Sequence, residues 1–210
     1  MNLIPLDTAT AFFGAAVLLA LAPGPDNLFV LMQSAMRGRG AGLLVVLGLC
    51  SGLLVHTTAV ALGLATLFAT SALAFNLLKA AGALYLVWLA WQAWNAPAAS
   101  AAGAAEAAPS ALQLYRRGIV MNVTNPKVSI FFLAFLPQFV SAERGSVGPQ
   151  VLALGALFML ATLLTFGTIA LLAGTLREFL LRSPQAEVAI NRIAAVVFVG
   201  LAARLALARN

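Results

Sequence analysis

The sequence predicts an all-α membrane protein, and three observations carry that prediction. Of its 210 residues, 62% are hydrophobic and only 9% are charged, at a mean hydropathy of +1.00; soluble chains run at about 45–50% apolar and about 25% charged. Six apolar segments stand at 8–36, 42–68, 72–94, 116–139, 150–175 and 188–207. Each is long enough to cross about 30 Å of hydrocarbon at about 1.5 Å per helical residue. The run from Leu43 to Phe68 lacks the alternation that marks barrel strands of about 10 residues. Six transmembrane helices follow, grouped as two inverted three-helix repeats, 1–94 and 116–210, joined by a flexible linker at 95–115.

The first segment is expected to stay on the protein rather than be cleaved as a signal peptide. Asp7 is its only early charge, Ala22-Pro23-Gly24-Pro25 is a poor cleavage site, and the apolar run continues through Leu28 to Met32. In the second segment Gly48 and Gly52 form a small-xxx-small face for close helix approach. Cys50 reads there as a small core residue, and His56, the sole histidine, is either a proton relay or a hydrogen-bonded packing residue. In the third segment Lys79 can snorkel outward, while Tyr85, Trp88, Trp91 and Trp94 suit an interfacial aromatic belt. Residues 95–112 are a low-complexity Ala/Pro/Ser stretch in which Pro97, Gly103 and Pro109 oppose a helix. Gln33, Gln138 and Asn191 are expected at the interface, and Arg204 as an anchor.

Orientation follows from the basic residues. Connections one, three and five hold seven arginines (Arg37, Arg39, Arg116, Arg117, Arg177, Arg182 and Arg192), against four basic residues on the other side: Lys79, Arg144, Arg204 and Arg209. The odd connections, including the linker, are therefore expected in the cytoplasm and both termini outside.

Segments one and four are expected to break in mid-membrane. Proline removes a backbone donor and clashes with the preceding turn, and glycine relaxes the chain. Pro23-Gly24-Pro25-Asp26-Asn27 supplies the first break; the second falls at Asn122-Val123-Thr124-Asn125-Pro126-Lys127, where Asn125 can cap and Pro126 can open a helix. Interrupted helices at matching places in inverted halves point to a transporter site at the midplane. Both second half-helices would begin centrally, so their positive ends converge on a place suited to a carboxylate. Asp26 fits such an end. Lys127 opposes the dipole there and needs an anionic partner or a lowered proton affinity. Each charge at the bilayer centre costs about 2.5–3.5 kcal/mol on insertion scales, so two retained charges imply pairing or use.

With these motifs in hand, the sequence resembles the lysine exporter (LysE) superfamily, and within it the RhtB-type homoserine/threonine efflux branch. Besides the two breaks, the likeness runs through Gly48 to His56, Leu78 to Leu89, Phe131 to Val140 and the tail from Ile190. The resemblance implies a six-helix bacterial inner-membrane protein that exports amino acids by proton antiport. The branch also contains leucine and homoserine-lactone exporters, so it leaves the cargo open.

The residues themselves narrow the cargo. A zwitterion offers its ammonium to Asp26 and its carboxylate to Lys127 and the half-helix N-termini. Asp26 is the only acid deep in any segment, since Glu143, Glu178 and Glu187 lie at connections. No acid is left for a cationic side chain, which favours a small neutral amino acid over lysine or arginine. Asn27, Thr57, Asn122, Thr124, Thr162 and Thr165 can bind a side-chain hydroxyl, which points to homoserine or threonine. Leucine, basic amino acids and homoserine lactone are the alternatives. The expected substrate site comprises Pro23, Gly24, Pro25, Asp26, Asn27, Asn122, Thr124, Asn125, Pro126 and Lys127. Proton coupling is assigned to Asp26, with His56 second.

Other classes fit less well. Ser51 and His56 could suggest an intramembrane protease, but five residues place them about 140° apart around one helix. A single Cys and a single His exclude disulfide and Cys/His zinc frameworks. A divalent-cation exporter needs several deep carboxylates. No enzyme activity, metal or cofactor is expected. The expected partners are an amino acid, protons and the lipid bilayer, with no nucleic acid, and homo-oligomerisation is left open.

Overall fold

A computed structural model describes residues 3–22, 24–70, 72–95, 109–182 and 184–207. At 64–70, 72–76, 78, 79, 93, 174–182, 184, 186, 187, 190, 191, 194, 204 and 205 it describes the backbone alone. Pro23, most of the linker, and the side chains of Lys79, Arg177, Glu178, Arg182, Glu187, Asn191 and Arg204 therefore lie outside the described residues.

The described residues are helical and contain no strand. The chain runs through α1 (Leu6–Leu21), α2 (Pro25–Arg37), α3 (Arg39–Thr70), α4 (Ala72–Asn95), α5 (Ala111–Val123), α6 (Pro126–Ile130), α7 (Val147–Arg182) and α8 (Pro184–Leu207). α6 continues through a π turn at Phe131–Phe135 and a 3-10 turn at Leu136–Phe139. α3 and α7 each hold an apolar stretch long enough to cross a membrane, Arg39–Gly63 and Val147–Ala173. Two more crossings arise if each bent pair counts as one span: α1 with α2, bent by 63°, and α5 with the Pro126–Phe139 segment, bent by 48°.

The ends of these helices have local causes. Ala22 precedes a proline, a position that disfavours helical geometry, and it leaves α1 at ψ 126°. α2 starts with Pro25 in its first turn and ends at Gly38, whose φ of 85° suits a residue without a side chain. α5 opens on a capping box between Ser110 and Gln113. After the π and 3-10 turns, fully buried Gln150 on α7 anchors the next loop. Its amide donates to the carbonyl of Ser141 at 2.9 Å and its oxygen accepts from that residue's N–H at 3.1 Å.

The helices pair in a crossed pattern. α1 packs on α7, α5 packs on α3, α3 on α7, and α4 on α8. Gly48 and Gly118 bring α3 and α5 into backbone contact. A Cβ on Gly118 would meet the carbonyl of Val45 and the Cα of Gly48, and one on Gly52 would lie 2.7 Å from Asn122. The largest core cluster is aromatic, with Phe12 on α1 set 5.1 Å from Phe139 and Phe131 set 5.1 Å from Phe158 on α7. Outward-facing residues are apolar too: Leu62 is 74% exposed and Leu84 72%. In water that surface would be costly; in lipid it is not, and the helices are held by close packing and internal polar bonds.

Candidate functional site

Both broken segments restart in the same way. Pro25 and Pro126 sit in the first turns of α2 and α6, where a missing N–H costs nothing, and each is followed by a charged residue, Asp26 and Lys127. Both charges are buried, Asp26 at 2% exposure and Lys127 at 6%. Asn125 caps α6, its Oδ1 accepting from the Lys127 N–H at 3.0 Å. Gly24, before α2, provides no side-chain cap.

The two breaks are braced against each other in both directions. Asn125 Nδ2 donates to Asp26 Oδ2 at 2.8 Å, joining positions 99 residues apart in sequence. Lys127 Nζ donates to the carbonyls of Leu19 and Ala22, each at 3.1 Å, at the end of α1. This answers the difficulty that Lys127 opposes its own half-helix: its ammonium lies at the negative end of α1, where a cation gains about 0.3–1 kcal/mol and more when partly buried. Gly24 makes room for it, since a Cβ there would sit 3.3 Å from Nζ.

A helix end leaves carbonyls to be satisfied, and two side chains satisfy those of α1. Asn27 Nδ2 donates to Ala20 at 2.7 Å and to Leu21 at 3.5 Å, while Lys127 takes Leu19 and Ala22. The acceptor side is less complete. Asp26 Oδ1, Asn27 Oδ1 and Asn122 Oδ1 are buried with no hydrogen-bond partner among the described residues. Buried polar atoms of this kind are few in native structures and invite a ligand.

His56 reaches the second break from α3. Its Nε2 lies 3.2 Å from the Asn122 carbonyl, which also accepts from the Asn125 N–H at 3.1 Å. A carbonyl only accepts, so Nε2 carries a proton. The ring lies tilted against Phe132, with the centroids 5.5 Å apart. Ser51 instead bonds Tyr115 at 2.8 Å, so the hydroxyl and the imidazole serve different neighbours. Thr124 is exposed, with its hydroxyl on Val120 of its own helix at 2.7 Å, and Thr57 likewise bonds Leu53. Thr162 and Thr165 are buried on α7. Pro126 is exposed at the start of α6.

Several partners carry no sequence signature. The carbonyls of Leu19 and Ala22 belong to apolar residues. Gln33, expected at the interface, is buried at 9% exposure on α2; its place on the face that carries Asp26 was the available signal.

A membrane-type helical bundle with a buried acid and a buried base, each bonded to groups of the opposite helix break, has the form of a translocator rather than an enzyme. Residues 17–209 match the family described as LysE type translocator, and the chain belongs to it. It is 33% identical to a homoserine/homoserine lactone efflux protein of Salmonella typhimurium, over 95% of this chain and 96% of that protein. The protein of that name from Salmonella typhi is 32% identical with the same coverage, and a membrane protein of Vibrio cholerae without an assigned function is 35% identical with the same coverage. No solved structure gives a significant match.

Proposed function

We propose that this chain exports a small neutral amino acid, homoserine or threonine, across the bacterial inner membrane in exchange for protons. The observation that carries the reading is the two-way brace between the breaks, with Asp26 Oδ1 left open beside it. The reading takes the chain as six spans in two inverted repeats, 1–94 and 116–210, joined by the cytoplasmic linker expected at 95–115, the last five residues of which already belong to α5, with both termini outside. The crossed packing of α1 on α7 and α5 on α3, with α4 on α8, supports it, because a two-fold relation between halves generates that exchange.

The site chemistry follows from the brace. The substrate ammonium binds Asp26 and its carboxylate draws Lys127 away from the carbonyls of Leu19 and Ala22. Both ties between the breaks then loosen, and the halves rock to open the site outward. Asp26 takes up an external proton in exchange for the ammonium and carries it back. One charge moving down 100 mV yields about 2.3 kcal/mol, against about 1.4 kcal/mol per tenfold gradient, so one proton sustains a gradient of about fortyfold.

The name of the Salmonella relatives brings in a second cargo, homoserine lactone. A lactone keeps the amine but lacks the carboxylate, so it can use Asp26 without moving Lys127. The test is reconstitution into liposomes, with proton movement followed as homoserine, threonine, leucine, lysine or the lactone is supplied. Asp26→Asn is expected to abolish substrate-driven proton movement; coupled transport unchanged in that variant rules out Asp26 as the proton site.

A further inference from the structure

The polar groups of the site described above end at the helix break, but α2 carries unsatisfied ones farther along. Asp26, Val30, Gln33 and Arg37 stand at i, i+4, i+7 and i+11 of this helix, within about 60° of one another around an axis of about 3.6 residues per turn. Val30 is fully buried and Gln33 is 9% exposed. Gln33 Oε1 and Arg37 Nη1 are both buried, and neither has a hydrogen-bond partner among the described residues. They are neighbours one turn apart, with Cβ atoms about 5–6 Å from each other. An acceptor and a donor thus stand side by side without satisfying one another, which packing alone does not require.

We propose that Gln33 and Arg37 form a second station for an α-amino acid zwitterion, between the helix break and the arginine-bearing end of the bundle; this rests on the export reading above. The polarity of the pair matches the ligand. An ammonium donates to the amide oxygen of Gln33, and a carboxylate accepts from the guanidinium of Arg37, a charge-assisted bond. Seven residues of helix separate Asp26 from Gln33 by about 10 Å, so a molecule the size of homoserine occupies one station or the other. Arg117 of α5 adds positive charge nearby, its guanidinium lying 4.6 Å from the ring centroid of Phe29, one turn before Gln33. The carboxylate end of the substrate meets Arg37 first, and Val30, packed against Val45, Val46 and Leu49, separates this station from Asp26 until the halves move.

The test compares wild type with Gln33→Leu in liposomes, with homoserine supplied on the Arg37 side and proton movement recorded. The KM for homoserine is expected to rise about tenfold, equivalent to about 1.4 kcal/mol, while the proton-to-substrate ratio stays the same. An unchanged KM overturns the station, and so does a KM change accompanied by loss of coupling. A second readout does not depend on tolerance of leucine. Gln33→Cys in a Cys50→Ala background is expected to react with a charged methanethiosulfonate reagent from the Arg37 side, and homoserine is expected to slow that reaction. No labelling, or labelling indifferent to homoserine, overturns the station. If wild type moves none of homoserine, threonine, leucine or lysine, the export reading fails and the station with it; transport with an inert Gln33 removes the station alone.

Discussion

Asn125 does two jobs with one side chain, and they can be separated. Its oxygen caps α6 while its amide holds Asp26. Asn125→Ser retains a capping oxygen but is too short to reach Asp26, and Asn125→Ala loses both functions. Loss of a cap costs about 1 kcal/mol, so the alanine variant is expected to unfold at a lower temperature in detergent than the serine variant. Both are expected to slow homoserine transport to a similar extent. Transport that tracks stability instead, with serine close to wild type, would mean that the Asp26 tie is not used in the cycle. The acid and base of this site stand out in the sequence because charges are few and both follow a proline inside an apolar run. Their partners do not stand out. Lys127 ends on main-chain carbonyls of apolar residues, and Asn125 meets Asp26 only because two distant segments fold against each other.

Among the elements, the contact of α3 with α5 sets how close His56 and the second break can come. Gly118→Ala is expected to push these helices apart, because its Cβ would meet the backbone around Val45 and Gly48. Overpacking of this kind costs about 1–3 kcal/mol. A Cβ on Gly14 of α1 would meet nothing within 4 Å, so Gly14→Ala is expected to be neutral or stabilising by up to about 1 kcal/mol through helix propensity. Thermal unfolding in detergent checks both signs, and a Gly118→Ala variant as stable as wild type would show that the α3–α5 contact is looser than its geometry. The Gly48–Gly52 spacing indicates a close-packed face from sequence alone. That the face meets α5, and that Gly52 lies against Asn122, depends on which helices become neighbours.

At the scale of the whole molecule, the proposed arrangement of two inverted halves makes a topological prediction. On the proposed topology, in which the seven-to-four arginine and lysine bias favours outside termini, alkaline phosphatase fused after Asn210 is expected to be active. The same enzyme inserted within 95–112 is expected to be inactive. Active fusions at both places would contradict the inverted repeat. That the chain is helical and membrane-bound, where its helices break, and which two charges accompany the breaks can all be read along the sequence. Hydrophobicity, proline and glycine act locally, so no knowledge of distant neighbours is needed for these features. Tertiary contacts alone brace the breaks against each other, give α1's carbonyls to the lysine, and leave Gln33 and Arg37 open along one face of α2. The braces join segments about a hundred residues apart in the chain, and in lipid, packing and polar bonding between helices select such contacts rather than hydrophobicity.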